Sequence, residues 1–389
     1  MTAGSARETW VRDQFPALRS GEARMDGPAG SQVPVPVIRA MVRYLEADNA
    51  NSGGLFSASV STDSLIGRAR DAMAGFLGCR PEEVGFGQNA STVNLLLSRA
   101  AVRSLRPGDE IVVTRLDHDS NIDPWLEGAK DVGAKVVMVD ARDDTTLDMD
   151  GLAAAIGERT RVVAFPWACN ATGTMTDVAQ ISAMAHAAGA LSWVDATHFA
   201  PHGPIDVTAV EADVAICSPY KFFGPHLGVF YAKQGLLEGW LPLHVRASAP
   251  QSPAQLLEPG TLPGESLAGL VAAVEYIQSL GWPWIREQEA RLGTAFLEGL
   301  PPAWELYGLG TMNGRTATFA IGARLKAPSE WAAALAADGI AVTAGHFRAT
   351  RMMERLGLPA GAVRVGFLHY NTLEEVERVL AALGGLGAG

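Results

Sequence analysis

LSWVDATHF (191–199) and VAICSPYKFFGPHLGVF (214–230) set the reading of the whole chain. Each opens on a short apolar run and breaks into a polar loop. Runs of this length, bounded by turn residues, fit buried strands better than helices. Asp195 closes the first run, and Lys221 stands in the loop just beyond the second. In an open α/β sheet, ligands gather beyond the carboxyl ends of the strands. Asp195 and Lys221 are therefore expected on one rim. The run at 227–232 follows 214–218 too closely for a crossover helix, so this pair encloses a tight loop, with one antiparallel strand expected.

Working outward, similar runs at 111–115, 135–140 and 161–166 alternate with helical patterns at 91–104, 124–132, 148–157 and 177–188. Buried strands alternating with helices predict an α/β domain with a mainly parallel sheet. Toward the N-terminus, helices are expected at 5–14, 34–48 and 62–77, with the loop NANSGGLFS (49–57) between the last two. After about 235 the texture changes. A Pro/Gly-rich connector, QSPAQLLEPGTLPG, leads into helical patterns at 265–280 and 284–299. Short strands follow at 304–307, 316–321, 340–342 and 363–369. A last helix opens on Thr372 and Glu375, spaced as a capping box, and runs to about 383, with fraying Gly-rich residues after it. The expected organisation is an N-terminal segment (1–29) packed on a smaller α+β C-terminal domain (256–389), with a large α/β domain (30–255) between them.

Composition narrows the function classes. With 389 residues, 48% of them hydrophobic, the chain can bury a large core in more than one domain. A formal net charge of −11 argues against a basic nucleic-acid surface. The three cysteines form neither a close pair nor zinc-ligand spacing, which favours a reducing, cytoplasmic setting. No signal-peptide pattern opens the chain, and no uncharged apolar stretch reaches membrane-spanning length.

A lysine and a carboxylate on one rim suit an imine-forming cofactor. The amine holds its aldehyde, and the acid keeps a pyridine nitrogen protonated so that the ring draws electrons. A phosphate would need hydroxyls and backbone N–H groups at a helix start. GFGQNAST (85–92), a polar turn between a short strand and a helix, supplies them. Taken singly, each piece has a plain alternative: Asp195 a helix cap, Lys221 a surface lysine, the turn an ordinary loop.

From MDGPAGSQVP at 25 to YNTLEEVERVL at 370, the order of these motifs resembles the class V aminotransferases, in their cysteine desulfurase-like branch. The resemblance implies fold type I of the pyridoxal 5'-phosphate enzymes. It makes Lys221 the Schiff-base lysine and proton shuttle at Cα, and Asp195 the partner of the pyridine nitrogen. His118 (RLDHDSNIDPW) would stack on the ring, and Asn170 (ACNATGT) would bond the phenolic oxygen. Asn89, Ala90 and Ser91 would cradle the phosphate, with Ser218 and Tyr220 as further donors; Tyr220 replaces a frequent histidine. His198 stands where desulfurases often carry glutamine, either tuning the imine or lying behind the pocket. Thr261, in EPGTLPGE, would reach the phosphate of a neighbouring subunit, implying a homodimer with shared active sites. Arg364, in AVRVGFLHYN, would clamp an α-carboxylate, implying an amino-acid substrate.

One departure bears on the reaction. Desulfurases carry a nucleophilic cysteine on the loop before that arginine, whereas AVTAGHFRATRM (341–352) has none. Arg348 and His346 are candidates there for a polar or anionic substrate group. Cys169 and Cys217 lie in apolar strand settings that favour structural roles. His369, Asn371 and the 49–57 loop are candidates for the entrance. The leading expectation is C–S β-elimination from cysteine or an S-substituted cysteine. Transamination is the alternative, with epimerisation and decarboxylation also open.

Overall fold

The computed structural model describes residues 3–240 and 254–387. Strand β1 (Ala23–Arg24) comes first and belongs with the C-terminal part of the chain. The next seven are β2 (Val84–Gly87), β3 (Glu110–Thr114), β4 (Lys135–Val139), β5 (Thr160–Pro166), β6 (Leu191–Asp195), β7 (Val214–Cys217) and β8 (Gly228–Ala232). They form one sheet in the order β2-β8-β7-β6-β5-β3-β4. Pairings from β4 through β7 are parallel, while β8 runs antiparallel to both β7 and β2. This is the lone reversed strand expected from the short spacing after 214–218.

The core follows from the two-residue period of extended chain. Ile111, Val113, Val162, Ala164, Trp193, Val214 and Ile216 point into one apolar cluster, whereas Val112, Val163, Phe165, Val194 and Ala215 point into the other. Both faces therefore need cover. The helices in chain order begin with α1 (Ala3–Asp13), α2 (Val35–Arg43), α3 (Ser57–Leu77), α4 (Ala90–Val102), α5 (Asp123–Val132), α6 (Met149–Ala155), α7 (Val178–Ala187) and α8 (Leu236–Gly239). From α4 and α5 come Leu97, Ala101, Trp125 and Ala129 on the first face; α3 and α7 supply Met73, Leu77, Ile181 and Ala185 on the second. Trp125 meets Trp193 edge-on, with ring centroids 4.7 Å apart.

Beyond the connector lie α9 (Gly264–Leu280), α10 (Trp282–Gly299), β9 (Glu305–Tyr307), β10 (Thr318–Gly322), α11 (Pro328–Ala337), β11 (Ile340–Ala341), β12 (Thr343–Gly345), α12 (Thr350–Arg355), β13 (Ala362–Gly366) and α13 (Leu373–Gly387). A four-stranded antiparallel sheet, β12-β13-β10-β9, packs Phe319, Ile321, Val363 and Val365 against Leu292, Phe296, Val376 and Val379. The N-terminal segment is sewn into this region. β1 pairs parallel with β11, and Arg12 bonds Glu375 at 2.6 Å. Asp26 bridges Gly366, where an added Cβ would lie 2.1 Å from Pro28 Cγ, so glycine lets the segment close against β13. The Thr372–Glu375 capping box is present, with reciprocal bonds of 3.2 and 3.3 Å.

Some elements differ from expectation. The helix foreseen over 34–48 stops at Arg43, and Tyr44–Asp48 forms a π turn that buries Tyr44, its hydroxyl 3.1 Å from Thr62 Oγ1. Helices α11 and α12 went unforeseen, since PSEWAAALAA has little contrast between its faces and α12 is only six residues long. The strand foreseen over 363–369 leaves the sheet at Gly366, and Leu368 N–H instead donates to Asn371 Oδ1 at 2.9 Å. Of the Gly-rich end expected to fray, Ala388 and Gly389 lie outside the described residues. No helix among the described residues is long and apolar enough to cross a membrane.

Glu258 links the connector to the large sheet. Its carboxylate accepts from Arg70 at 2.7 Å and from Phe86 N–H at 2.8 Å, and both side chains of the ion pair are buried. Removing one partner strands the other charge. Glu258→Ala is expected to cost about 3–5 kcal/mol, read as a lower urea midpoint.

Candidate active site

The carboxyl ends of β3, β5, β6 and β7, with the start of α4, surround a cavity of about 550 Å³. Asn89, Ala90, Ser91, His118, Asn170, Asp195, His198, Tyr220, Lys221, Arg348 and Arg364 line it, so one rim gathers most of the residues singled out from the sequence. Asp195 ends β6; its Oδ1 accepts Thr197 N–H at 2.8 Å and holds the carboxylate still. Lys221 closes the 3-10 turn after β7. Its amine donates to the carbonyls of Pro28 and Ala29, so the N-terminal segment forms one wall of the site. Desolvation pushes the amine down to about 7, with the Arg364 charge adding to the effect and Asp195 opposing it.

His118 sits on the turn after β3. Ser120 N–H donates to its Nδ1 at 3.1 Å, and the Ser120 hydroxyl lies 2.7 Å from the same nitrogen. Nδ1 is thus an acceptor, which puts the ring proton on Nε2. Burial lowers the pKa of this imidazole and favours the neutral ring. Asp117 fixes the turn from beneath. It accepts His118 N–H at 2.9 Å and Asn121 Nδ2 at 2.6 Å, and burial beside Asp195 raises its own pKa well above the usual range.

The turn before α4 is capped by Asn89, whose Oδ1 accepts Thr92 N–H at 2.9 Å. The amides of Ala90 and Ser91, in the first turn, have no acceptor within the helix, and both residues line the cavity. Across the cavity, Arg364 is buried, donates to Asn170 O at 2.7 Å and lies 4.3 Å above the Phe347 ring. Asn170 donates to Phe347 O at 2.8 Å, leaving its Oδ1 buried without a partner; Thr197 Oγ1 is orphaned likewise. Buried polar atoms of this kind mark places where a ligand supplies the missing bond.

Phe347 and Arg348 both take left-handed backbone angles, φ 56° and 54°. Non-glycine residues pay strain there, and the surroundings hold the pair in place. Asp119 N–H donates to Arg348 O at 2.6 Å, while the Asp119 carboxylate accepts Thr350 Oγ1 and Arg351 Nη1, each at 2.7 Å. The loop is thereby clamped to the turn that bears His118. The Arg348 side chain is exposed at the cavity mouth and makes no hydrogen bond or ion pair among the described residues.

Other expected residues lie elsewhere. Ser218 is fully buried, its hydroxyl turned to Leu227 O, and it does not line the cavity. His346 bonds Pro359 O at 2.8 Å, away from the lining. Thr261 is exposed and outside the cavity of its own chain. His369 and Asn371 are buried outside the cavity, held to Tyr276 and Glu375, so neither borders the entrance; nor does the 49–57 loop, which does not line it. Cys169 and Cys217 are buried, and burial raises both thiols. The sequence reading passed over Asp117, Ser120, Thr197, His226 and Phe347, which also line the cavity. Each adjoins a recognised motif, and His226 lies within the stretch around Lys221.

Residues 24–379 match the family model described as aminotransferase class-V. A cysteine desulfurase of Synechococcus elongatus is 33% identical over 96% of this chain, which spans 62% of that longer protein. A probable cysteine desulfurase 2 of Mycobacterium leprae is 32% identical, over 96% of this chain and 95% of its own. The apo structure of a cysteine desulfurase from Thermococcus onnurineus superposes with a TM-score of 0.93 at 28% identity, covering 97% of this chain and 98% of that one.

The depressed amine is testable in cofactor-free protein. Labelling of Lys221 by acetic anhydride, followed by peptide mass spectrometry, is expected to rise with a midpoint near pH 7. Exposed lysines should rise near their ordinary value of about 10.4.

Proposed function

The chain belongs to the class-V aminotransferase family and is a pyridoxal-phosphate-dependent enzyme of the cysteine-desulfurase-like branch; from that premise we propose that it catalyses C–S β-elimination on cysteine or an S-substituted cysteine. Carrying this reading is the loop at 346–349, which bears the unpaired guanidinium of Arg348 close to where desulfurases carry their nucleophilic cysteine. No cysteine lines the cavity. A persulfide has nowhere to form, whereas elimination needs no thiol from the enzyme.

The residues present fit the cofactor. An amine pushed down to about 7, a fixed carboxylate, open amides at a helix start and the orphaned Asn170 Oδ1 and Thr197 Oγ1 are the partners its functional groups require. When bound, pyridoxal phosphate takes up amines at its aldehyde and draws electrons from Cα into its ring. Lys221 holds it and, once released, moves the proton at Cα. Asp195 keeps the pyridine nitrogen protonated. Neutral His118 would lie against the ring with its Nε2–H as the free donor, and Asn170 and His198 would flank the phenolic oxygen. Burial and the nearby positive groups hold His198 neutral. Asn89, Ala90 and Ser91 hold the phosphate, with Tyr220 beside them. Arg364 clamps the α-carboxylate by its planar fork.

Arg348 selects a substrate whose sulfur substituent is anionic or strongly polar, with His346 steadying the loop. The net reaction consumes water and releases a thiol, ammonia and a keto acid. The working unit is a homodimer. Ile38, Val42, Leu45, Leu55, Phe56 and Val60 form an exposed apolar face, and Thr261 is free to reach a neighbour's phosphate. Three unpaired cysteines accord with the cytoplasm.

The test is turnover of L-cysteine and S-substituted cysteines without any added keto acid. Repeated release of thiol and keto acid is expected; a strict keto-acid requirement would instead indicate transamination. Arg348→Met is expected to raise KM for an S-carboxyalkyl cysteine about 10- to 100-fold, the worth of a charge-assisted bond. KM for an S-alkyl cysteine should stay within about threefold.

A further inference from the structure

His226 is the cavity-lining side chain that the reading above leaves without a task. Its imidazole stacks on Tyr220, with ring centroids 5.2 Å apart and planes at 12°. It is exposed and makes no hydrogen bond or ion pair among the described residues. The backbone path puts it beside the start of α4. Gly228 pairs with Gly87 at the end of β2, and a Cβ on Gly228 would lie 2.5 Å from the carbonyl carbon and oxygen of Asn89. The glycine lets this strand end press on the very turn that opens α4, and His226 precedes it across the buried Leu227. His226 thus shares the cavity end of Asn89, Ala90 and Ser91.

Tyr220 lines the same cavity. Its phenol feels the charges of Asp195, Arg364 and Arg348, and Lys221 Nζ lies 4.9 Å from its ring centroid. The hydroxyl makes no hydrogen bond among the described residues.

We infer that His226 donates a hydrogen bond to the cofactor's phosphate from the β8 side, beside the Asn89–Ser91 turn. The ligand group is a phosphate monoester, and the stack on Tyr220 aims the ring. This rests on the assignment of the Asn89–Ser91 turn to the phosphate, and the experiment separates the two.

The experiment compares pyridoxal phosphate with pyridoxal, which lacks the phosphate, in binding to cofactor-free full-length protein by absorbance titration. Their affinity ratio isolates the phosphate. His226→Ala is expected to lower that ratio about 10-fold or more. Ala90→Pro serves as the control for the turn; proline is tolerated at the first helical position and removes one amide. If Ala90→Pro lowers the ratio and His226→Ala leaves it unchanged, the inference about His226 fails while the phosphate turn stands. If neither changes it, both fail. Equal loss of both ligands in His226→Ala would reduce the imidazole to a prop for Tyr220 and overturn the inference.

Discussion

Desolvation of one amine organises this molecule. The imine chemistry proposed for Lys221 needs a nitrogen that is neutral near physiological pH, and neutrality there requires that water be kept away from it. The large sheet alone cannot do this, because Lys221 stands on the open rim beyond β7. The wall is completed by Pro28 and Ala29, whose carbonyls accept its hydrogens. Ser31 locks the same wall from the other side: its N–H and hydroxyl both reach Tyr220 O, at 2.9 and 3.0 Å, and its Oγ accepts Phe223 N–H at 2.7 Å. Arg364 on β13 then adds a nearby positive charge. Three parts of the chain thus meet at one nitrogen.

The contrast between rigid and adjustable parts of the site follows. Asp195 ends a central strand flanked on both sides, and its position is set by the sheet, whereas Asn170 lies beyond the end of β5 and is held by Phe347 and Arg364. The substrate side depends on the loop that carries Phe347 and Arg348 in a strained backbone. Asp119 gathers a main-chain carbonyl, a hydroxyl and a guanidinium from that loop. Because Asp119 also follows His118, the turn that bears His118 and the loop that bears Arg348 share one foundation.

Much of this was legible in the residues. The apolar runs ending in Asp195 and before Lys221 gave the sheet, its rim and the reversed strand, since buried strands write their period and their ends directly into sequence. Most residues proposed for the cofactor do line one cavity, because they sit at strand ends or at a helix start. Local pattern carried less where contacts are long-range. Ser218 shows this: the resemblance put it with the phosphate donors, but a hydroxyl fully buried next to Leu227 O satisfies itself there. His369 and Asn371 looked like rim residues beside Arg364, yet the chain turns inward after Gly366 and spends them on Tyr276 and Glu375. His226 was passed over because nothing in GPHLG reveals that its strand end folds against Asn89.

The pairing of β1 with β11 has a further consequence for how the protein comes into being. Ala23 and Arg24 are synthesised early, but their partners Ile340 and Ala341, and the Gly366 that receives Met25, leave the ribosome almost last. Contacts this far apart in sequence close late and slowly. The large sheet can form while the lysine is still open to water on its N-terminal side. A nascent chain therefore lacks the Arg364 charge near Lys221 until β13 has been made, and the bond from Gly366 N–H to Met25 O ties completion of that corner to the end of translation.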